Sequence, residues 1–107
     1  MATLAEARRR ADVDAQEMLA VVHGGAPRAR RYLRSGLHLE LERQEQSWRL
    51  MLGQSAGPID ASDLHIWRAA FGVPDGASEV GRIEARRSKF NRVVLFFVNE
   101  LTWTEAE

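Results

Sequence analysis

Apolar residues recur at steps of three and four along the first part of the chain. This spacing predicts an amphipathic helix over residues 3–23. Its apolar face carries Leu4, Ala7, Ala11, Ala15, Met18 and Val22. Gly24 and Gly25 follow, and glycine is the residue that most often ends a helix. Because half of this face is alanine, we expect a neighbouring element to approach it closely.

A second clear helical pattern covers residues 60–71. Asp60 is a suitable N-cap, because its side chain can accept a hydrogen bond from a free backbone N–H of the first turn. The helix would end at Gly72, with Pro74 just beyond. Its apolar side carries Leu64, Trp67 and Phe71.

The segments between these helices are ambiguous. Pro27 suits the first turn of a short helix over residues 27–35. Residues 37–52 fit either one helix or two alternating strands. A hairpin would have to turn within residues 42–47, which contain no Gly, Pro, Asn or Asp. We therefore favour a helix over 37–52 and keep the hairpin as the alternative.

An uninterrupted apolar run, from Val93 to Val98, stands out in the last third of the chain. Ser78 can cap a helix that begins at Glu79 and ends near residue 101. The main apolar face of that helix carries Ile83, Phe90, Val94, Phe97 and Leu101. Leu95 and Phe96 lie opposite this face, so another surface must cover them. A strand over 92–98 would need covering on both faces and would need partner strands. We favour the helix.

These elements predict an all-α fold, a compact bundle of four to five helices with short loops, in a single domain over 1–107. The minor alternative is an α+β fold with a hairpin at 37–52 and a strand at 92–98. The chain of 107 residues is long enough to bury a core, and it has no cysteine. Disulfides and thiol chemistry are therefore excluded.

Charge is balanced over the whole chain, with 15 basic and 15 acidic residues. This balance argues against a protein that coats polyanions with its entire surface. Two local basic clusters nevertheless qualify as nucleic-acid contacts: Arg28, Arg30, Arg31 and Arg34, and then Arg82, Arg86 and Lys89. The alternative is that both clusters pair with the acidic segment around Glu40, Glu42 and Glu45.

The second cluster, together with the helix over 60–71, resembles the general helix-turn-helix plan, in which the second helix reads the major groove. The run from Gly81 to Arg87 is also similar to Arg-rich helices in small helical subunits of nucleoprotein complexes. These resemblances imply a DNA- or RNA-associated protein as an alternative function.

Signals for catalysis are weak throughout. His23, His38 and His65 are scattered without metal-ligand spacing, and the glycines form no phosphate-binding loop. We therefore expect no enzyme, no metal and no cofactor. The N-terminus has charges where a signal peptide needs apolar residues, and no segment approaches a membrane span. We expect a cytoplasmic protein without a membrane partner.

The favoured interpretation is a small helical protein–protein interaction module. It would self-associate or dock onto another protein through its C-terminal helix. The expected interface residues are Val93, Leu95, Phe96, Leu101 and Trp103. The competing explanation for the apolar run is a central helix that the other helices cover.

Overall fold

The computed structural model describes residues 3–105, and its centre is an antiparallel sheet rather than a helical bundle. The all-α prediction is therefore wrong. Two helices and five strands follow the order α1 (Leu4–His23), β1 (Arg28–Tyr32), β2 (His38–Arg43), β3 (Ser47–Gln54), α2 (Ala61–Ala70), β4 (Ser78–Arg87) and β5 (Val93–Thr104). The strand order across the sheet is β1-β2-β3-β5-β4.

Both helices with clear sequence patterns are confirmed. The Thr3 hydroxyl caps α1 by accepting a hydrogen bond from the Glu6 N–H, and α1 ends at Gly24 as predicted. Asp60 caps α2 by accepting from the Ser62 N–H. The alanine-rich face of α1 is buried, and the buried members are Ala11, Ala15, Met18 and Val22. Small side chains on this face let the helix lie close to the sheet.

The segment over 37–52 is a hairpin of β2 and β3. The favoured helix is therefore wrong, and the hairpin that we kept as the alternative is the observed structure. Leu39 pairs with Leu52 and Leu41 with Leu50, and all four are buried. The turn closes with a 3.0 Å hydrogen bond from the Gln44 N–H to the Ser47 carbonyl. It needs no residue with positive φ, because Asn91 alone has one among the described non-glycine residues.

The predicted short helix over 27–35 is also wrong, because this segment contains β1. Ala29 of β1 pairs with Leu41 and is buried. A five-residue segment gains little from helical hydrogen bonds alone. Pairing with β2 satisfies its backbone and places Ala29 under α1, so tertiary contacts decide the outcome.

The predicted C-terminal helix is wrong as well, because residues 78–104 form the β4–β5 hairpin. The Ser88 N–H donates to the Arg92 carbonyl at 2.8 Å, and Asn91 takes the left-handed conformation at φ 60°. A type I turn followed by a left-handed residue is a common hairpin connection. As a strand, the apolar run distributes its side chains over two faces, whereas a helix leaves Leu95 and Phe96 without cover.

The two helices lie on one face of the sheet and cover β1, β2, β3 and the end of β5. The core between them includes Leu41, Leu50, Leu101 and Trp67. A smaller buried cluster of Met51, Phe96 and Val98 lies on the opposite face. We call the face of the sheet that the helices cover the helix face, and the opposite face the open face.

Candidate protein interface

The β4–β5 hairpin extends beyond the rest of the sheet. The pairing of β3 with β5 ends at Gln54 and Phe97, while β4 and β5 stay paired as far as Arg87 and Val93. Residues 93–96 therefore have no β3 partner, and the hairpin projects by about 13 Å at the usual rise per residue. Neither helix covers this projection, since no residue of β4 belongs to the core beneath them.

Apolar side chains on the helix face of this hairpin are open to solvent. Ile83, Val93 and Leu95 are 60%, 63% and 54% exposed, and Phe97 beside Ile83 is half-buried. We call these four residues the hairpin patch. Isolated apolar residues are common on protein surfaces, but a contiguous group of this kind is typical of a binding surface.

On the open face of the same hairpin Phe96 and Val98 are buried within the chain, whereas Val80 near the start of β4 is 52% exposed. Phe96 is only 4% exposed, and its ring lies over Gly53. A Cβ atom at Gly53 would come within 2.2 Å of that ring, so only glycine leaves room for it. The Arg86 guanidinium lies 3.8 Å from the Phe96 ring centroid, and His38 packs against the ring at 4.9 Å.

Ion pairs cover much of the remaining open face. Arg49 bonds both Glu42 and Glu100, with nitrogen–oxygen distances of 3.2 and 2.6 Å. Arg82 lies 3.0 Å from Glu84 and 3.3 Å from Glu100. The network is thus a lattice of alternating charges across β2, β3, β5 and β4, and it leaves the open face close to neutral.

The pKa values of two groups reflect this environment. Burial raises the pKa of Glu84, but hydrogen bonds and charge from Arg86 and Arg82 outweigh it and hold the pKa below its ordinary value. Burial lowers the pKa of His38, and the charge of Arg86 lowers it further. His38 borders a cavity of about 210 Å³ that Arg30, Tyr32 and Arg86 also line.

Strand β4 forms one edge of the sheet, and its backbone groups on that side have no partner strand within the described residues. It is ten residues long, contains no proline, and pairs one-to-one with β5 without a bulge. Native proteins usually guard such an edge with proline, a bulge, a short strand, a covering element or charged side chains, because its free backbone groups can pair with another chain, and β4 has only the charges. The hairpin therefore combines an exposed apolar patch with a free edge.

The residues predicted as a partner interface are separated by the strand alternation. Val93 and Leu95 are exposed in the hairpin patch, whereas Phe96 is buried on the open face and Leu101 is fully buried in the core. Trp103 is half-buried, and its ring stacks on Trp48 at 6.3 Å. Val93 and Leu95 are the members of this set that are more than half exposed, and Trp103 is partly accessible.

The predicted nucleic-acid contacts are also dispersed. Arg28, Arg30, Arg82 and Arg86 lie on the open face and belong to opposite edge strands of the sheet, although Arg30 and Arg86 both line the cavity beside His38. Arg31 points to the helix face and bonds Asp14 and Glu17 of α1. Arg34 lies in the turn after β1, and the Lys89 ammonium lies 5.2 Å from the Phe90 ring.

Several of these arginines have carboxylate partners within the chain. Arg30 lies 3.7 Å from Glu40, and Arg86 lies 3.0 Å from Glu84. The helix-turn-helix resemblance also loses its second helix, since residues 78–87 are a strand. Nucleic-acid binding stays a prediction, and the geometry adds nothing in its favour.

Sequence reasoning missed two residues of the candidate interface, Ile83 and Phe97. Both were assigned to the buried face of the predicted C-terminal helix. The signal that identifies β4 is the alternation of Arg82, Ile83, Glu84, Ala85 and Arg86, which has a period of two. This alternation places Ile83 on the face opposite the charges.

Comparison of the chain with protein family models, curated proteins and solved structures finds no match in any of the three. Within residues 3–105, no helix is both long and apolar enough to cross a membrane.

Proposed function

We propose that the chain is a protein–protein interaction module that self-associates through the β4–β5 hairpin. The observation that carries this proposal is the coincidence of two features on one hairpin, the hairpin patch and the ten-residue free edge of β4. Either feature alone is common on protein surfaces. Together they supply both apolar area and backbone hydrogen-bonding groups to a second chain.

The energetic reason is straightforward. Full burial of one Ile, Val, Leu or Phe side chain contributes about 1.5–3 kcal/mol. A chain of this size has a stability of only about 5–15 kcal/mol, so exposing several such side chains on one face forgoes a large gain. The chain buries Phe96 and Val98 on the open face of the same strand but leaves the helix face of the hairpin uncovered.

A second copy is the occupant that the charges of β4 favour. Its open-face side chains alternate as Arg82, Glu84 and Arg86, so an antiparallel copy whose two-fold axis lies between an arginine and a glutamate sets opposite charges against each other. An isologous contact of this kind is self-complementary and closes as a dimer.

Mass in solution tests the proposal. Sedimentation of the 12.1 kDa chain should give a dimer at micromolar concentration, and Ile83→Lys should give a monomer with an unchanged far-UV spectrum. Val13→Lys is the matched control. Val13 on α1 is 56% exposed, an exposed fraction similar to that of Ile83, and it lies away from the hairpin. This variant should remain a dimer. A wild-type chain that is monomeric up to high micromolar concentration would contradict the proposal.

A further inference from the structure

We infer that two copies pair their β4 strands antiparallel about a two-fold axis at Ile83, which joins the two five-stranded sheets into one. This inference rests on the proposed function, because it specifies the geometry of the same self-association.

The backbone of β4 determines which residues can pair with a second copy. The Ser88 N–H bonds across the hairpin to Arg92, and the register continues without a break to Ser78. Since inter-strand bonds alternate along an antiparallel strand, the even-numbered residues of β4 bond to β5. The odd-numbered residues from Glu79 to Arg87 therefore direct their N–H and carbonyl groups away from the sheet.

A two-fold axis perpendicular to the sheet reverses the strand direction and keeps both sets of helices on the same side. Residues that face each other across the axis then share a face, so odd-numbered residues pair with odd-numbered ones. Each odd-numbered pair would exchange two backbone hydrogen bonds. Every outward-facing backbone group between Glu79 and Arg87 is satisfied when the axis passes through Ile83.

Charge selects this register. With the axis at Ile83, Arg82 of one copy lies opposite Glu84 of the other, and Glu79 lies opposite Arg87. Symmetry repeats each pair. Arg82 and Glu84 would face each other in non-hydrogen-bonded pairs, where side chains are closest. They already lie 3.0 Å apart within one chain, so the dimer would extend an existing network.

The neighbouring registers place like charges together. An axis at Arg82 sets that arginine against its own copy, and an axis at Glu84 sets two glutamates together and Arg82 against Arg86. Like charges directly opposite are destabilising. An axis at Ala85 restores opposite charges for Glu84, but it sets Ile83 against Arg87 and shortens the overlap.

The same register joins the two hairpin patches. Ile83 pairs with Phe97 within each chain, so the axis creates one row of Phe97, Ile83, Ile83 and Phe97 across four adjacent strands. Leu95 of each copy flanks this row. Two patches that are incomplete alone thus become a continuous apolar surface at the centre of the joined sheet.

Disulfide formation between introduced cysteines tests the register directly, since the sequence contains no cysteine that could compete. Val80→Cys protein is mixed in turn with Glu84→Cys, Arg86→Cys or Ser88→Cys protein and oxidised mildly. Intact mass then reports the disulfide-linked heterodimer. These three partners correspond to axes at Arg82, Ile83 and Glu84. We expect a yield roughly tenfold higher with Arg86→Cys than with the other two, because a disulfide tolerates only a narrow range of Cβ distances.

Arg86→Cys removes the contact with Phe96, so a second pair repeats the test with conservative changes. Ser78→Cys mixed with Ser88→Cys corresponds to the same axis and should also link. Ser35→Cys is the collision control, because Ser35 is exposed in the turn between β1 and β2 and should not link to Val80→Cys.

The outcomes separate the inference from the proposed function. Preferred linkage through Glu84→Cys or Ser88→Cys would overturn the register. A wild-type dimer in which no β4 pair links would overturn β4 pairing and leave self-association standing. A monomeric wild-type chain would overturn both.

Discussion

The two edge strands of the sheet differ in length, in a neighbouring proline and in how far a helix covers them. Strand β1 has five residues, follows Pro27, and is tied to α1 by the ion pairs of Arg31 with Asp14 and Glu17. Strand β4 has ten residues and no proline, adds no side chain to the core beneath the helices, and contacts α2 through an ion pair of Glu79 with Arg68 at 3.7 Å near its first residue. One sheet therefore has a guarded edge and a free edge.

This difference shows that the free edge is not a general property of the fold. The same chain guards one edge by the devices that natural sheets use against unwanted pairing, namely a short strand, a nearby proline and a covering element. At β4 it relies on charged side chains alone, which repel most other strands but, because their signs alternate, can match a copy of the same strand. We interpret β4 as an edge that is kept free for a self-complementary strand.

Giving β4 the protection of a guarded edge should have the largest effect. In Ala85→Pro the lost N–H is one that points away from β5, so the hairpin keeps its internal bonds. The dimer loses that donor in both copies and gains a ring that obstructs the second strand. We expect the dimer dissociation constant, measured by sedimentation equilibrium, to rise about 100-fold or more, corresponding to about 3 kcal/mol.

Arg86→Pro is the control for this change. The Arg86 N–H bonds to β5, so proline there should unfold the hairpin and lower the melting temperature. Ala85→Pro should change the melting temperature of the monomer much less. A dimer of unchanged affinity in Ala85→Pro would show that the odd-numbered edge of β4 takes no part in association.

Reversing charges on β4 should have an intermediate effect. Arg82→Glu makes the central charges of the strand all acidic, and Glu84→Arg makes them all basic, so each variant sets like charges opposite each other twice. Each should weaken its own dimer roughly tenfold, since a cross-strand pair contributes about 0.2–1 kcal/mol. An equimolar mixture should form a heterodimer, which native mass spectrometry detects.

Arg30→Glu is the matched control for the guarded edge. Arg30 is exposed on the open face of β1, at a position comparable to that of Arg82 on β4. We expect this variant to leave the dimer affinity unchanged. Equal weakening by Arg30→Glu and Arg82→Glu would mean that overall charge, rather than the β4 contact, controls association.

The elements that sequence reasoning identified correctly are those with local signals. Residues 4–23 and 61–70 have helical periodicity, caps and glycine stops close together in the sequence, and both form the predicted helices. Local propensity and tertiary packing agree in these segments.

The strands were missed because their stability comes from pairing between distant segments. Strand β3 pairs with β5 at Leu50 and Leu101, a contact that no local window contains. The turn over 44–46 has no glycine or asparagine, and the lack of these typical turn residues favours a helix over a hairpin when only the local sequence is considered. The pairing of buried leucines across β2 and β3 outweighs that weak local preference.

The strand alternation separates two neighbouring residues of the predicted interface. Leu95 and Phe96 are adjacent, and helical periodicity placed both on the uncovered side. In a strand they point to opposite faces, so Phe96 is buried over Gly53 while Leu95 stays exposed. The prediction that a second protein surface covers part of the apolar run therefore remains for Val93 and Leu95, and it now includes Ile83 and Phe97.

The smallest expected effect comes from loosening the guard on β1. Arg31→Ala removes the ion pairs with Asp14 and Glu17, which are partly exposed and so contribute about 1 kcal/mol or less to the free energy of unfolding. Urea denaturation should show this loss, while the dimer affinity stays unchanged because β4 is untouched. Arg30→Ala, whose partner Glu40 lies 3.7 Å away, should cost even less. Assembly beyond the dimer in Arg31→Ala would contradict the expectation, since it would mean that the tie to α1, rather than the shortness of β1, keeps the second edge closed.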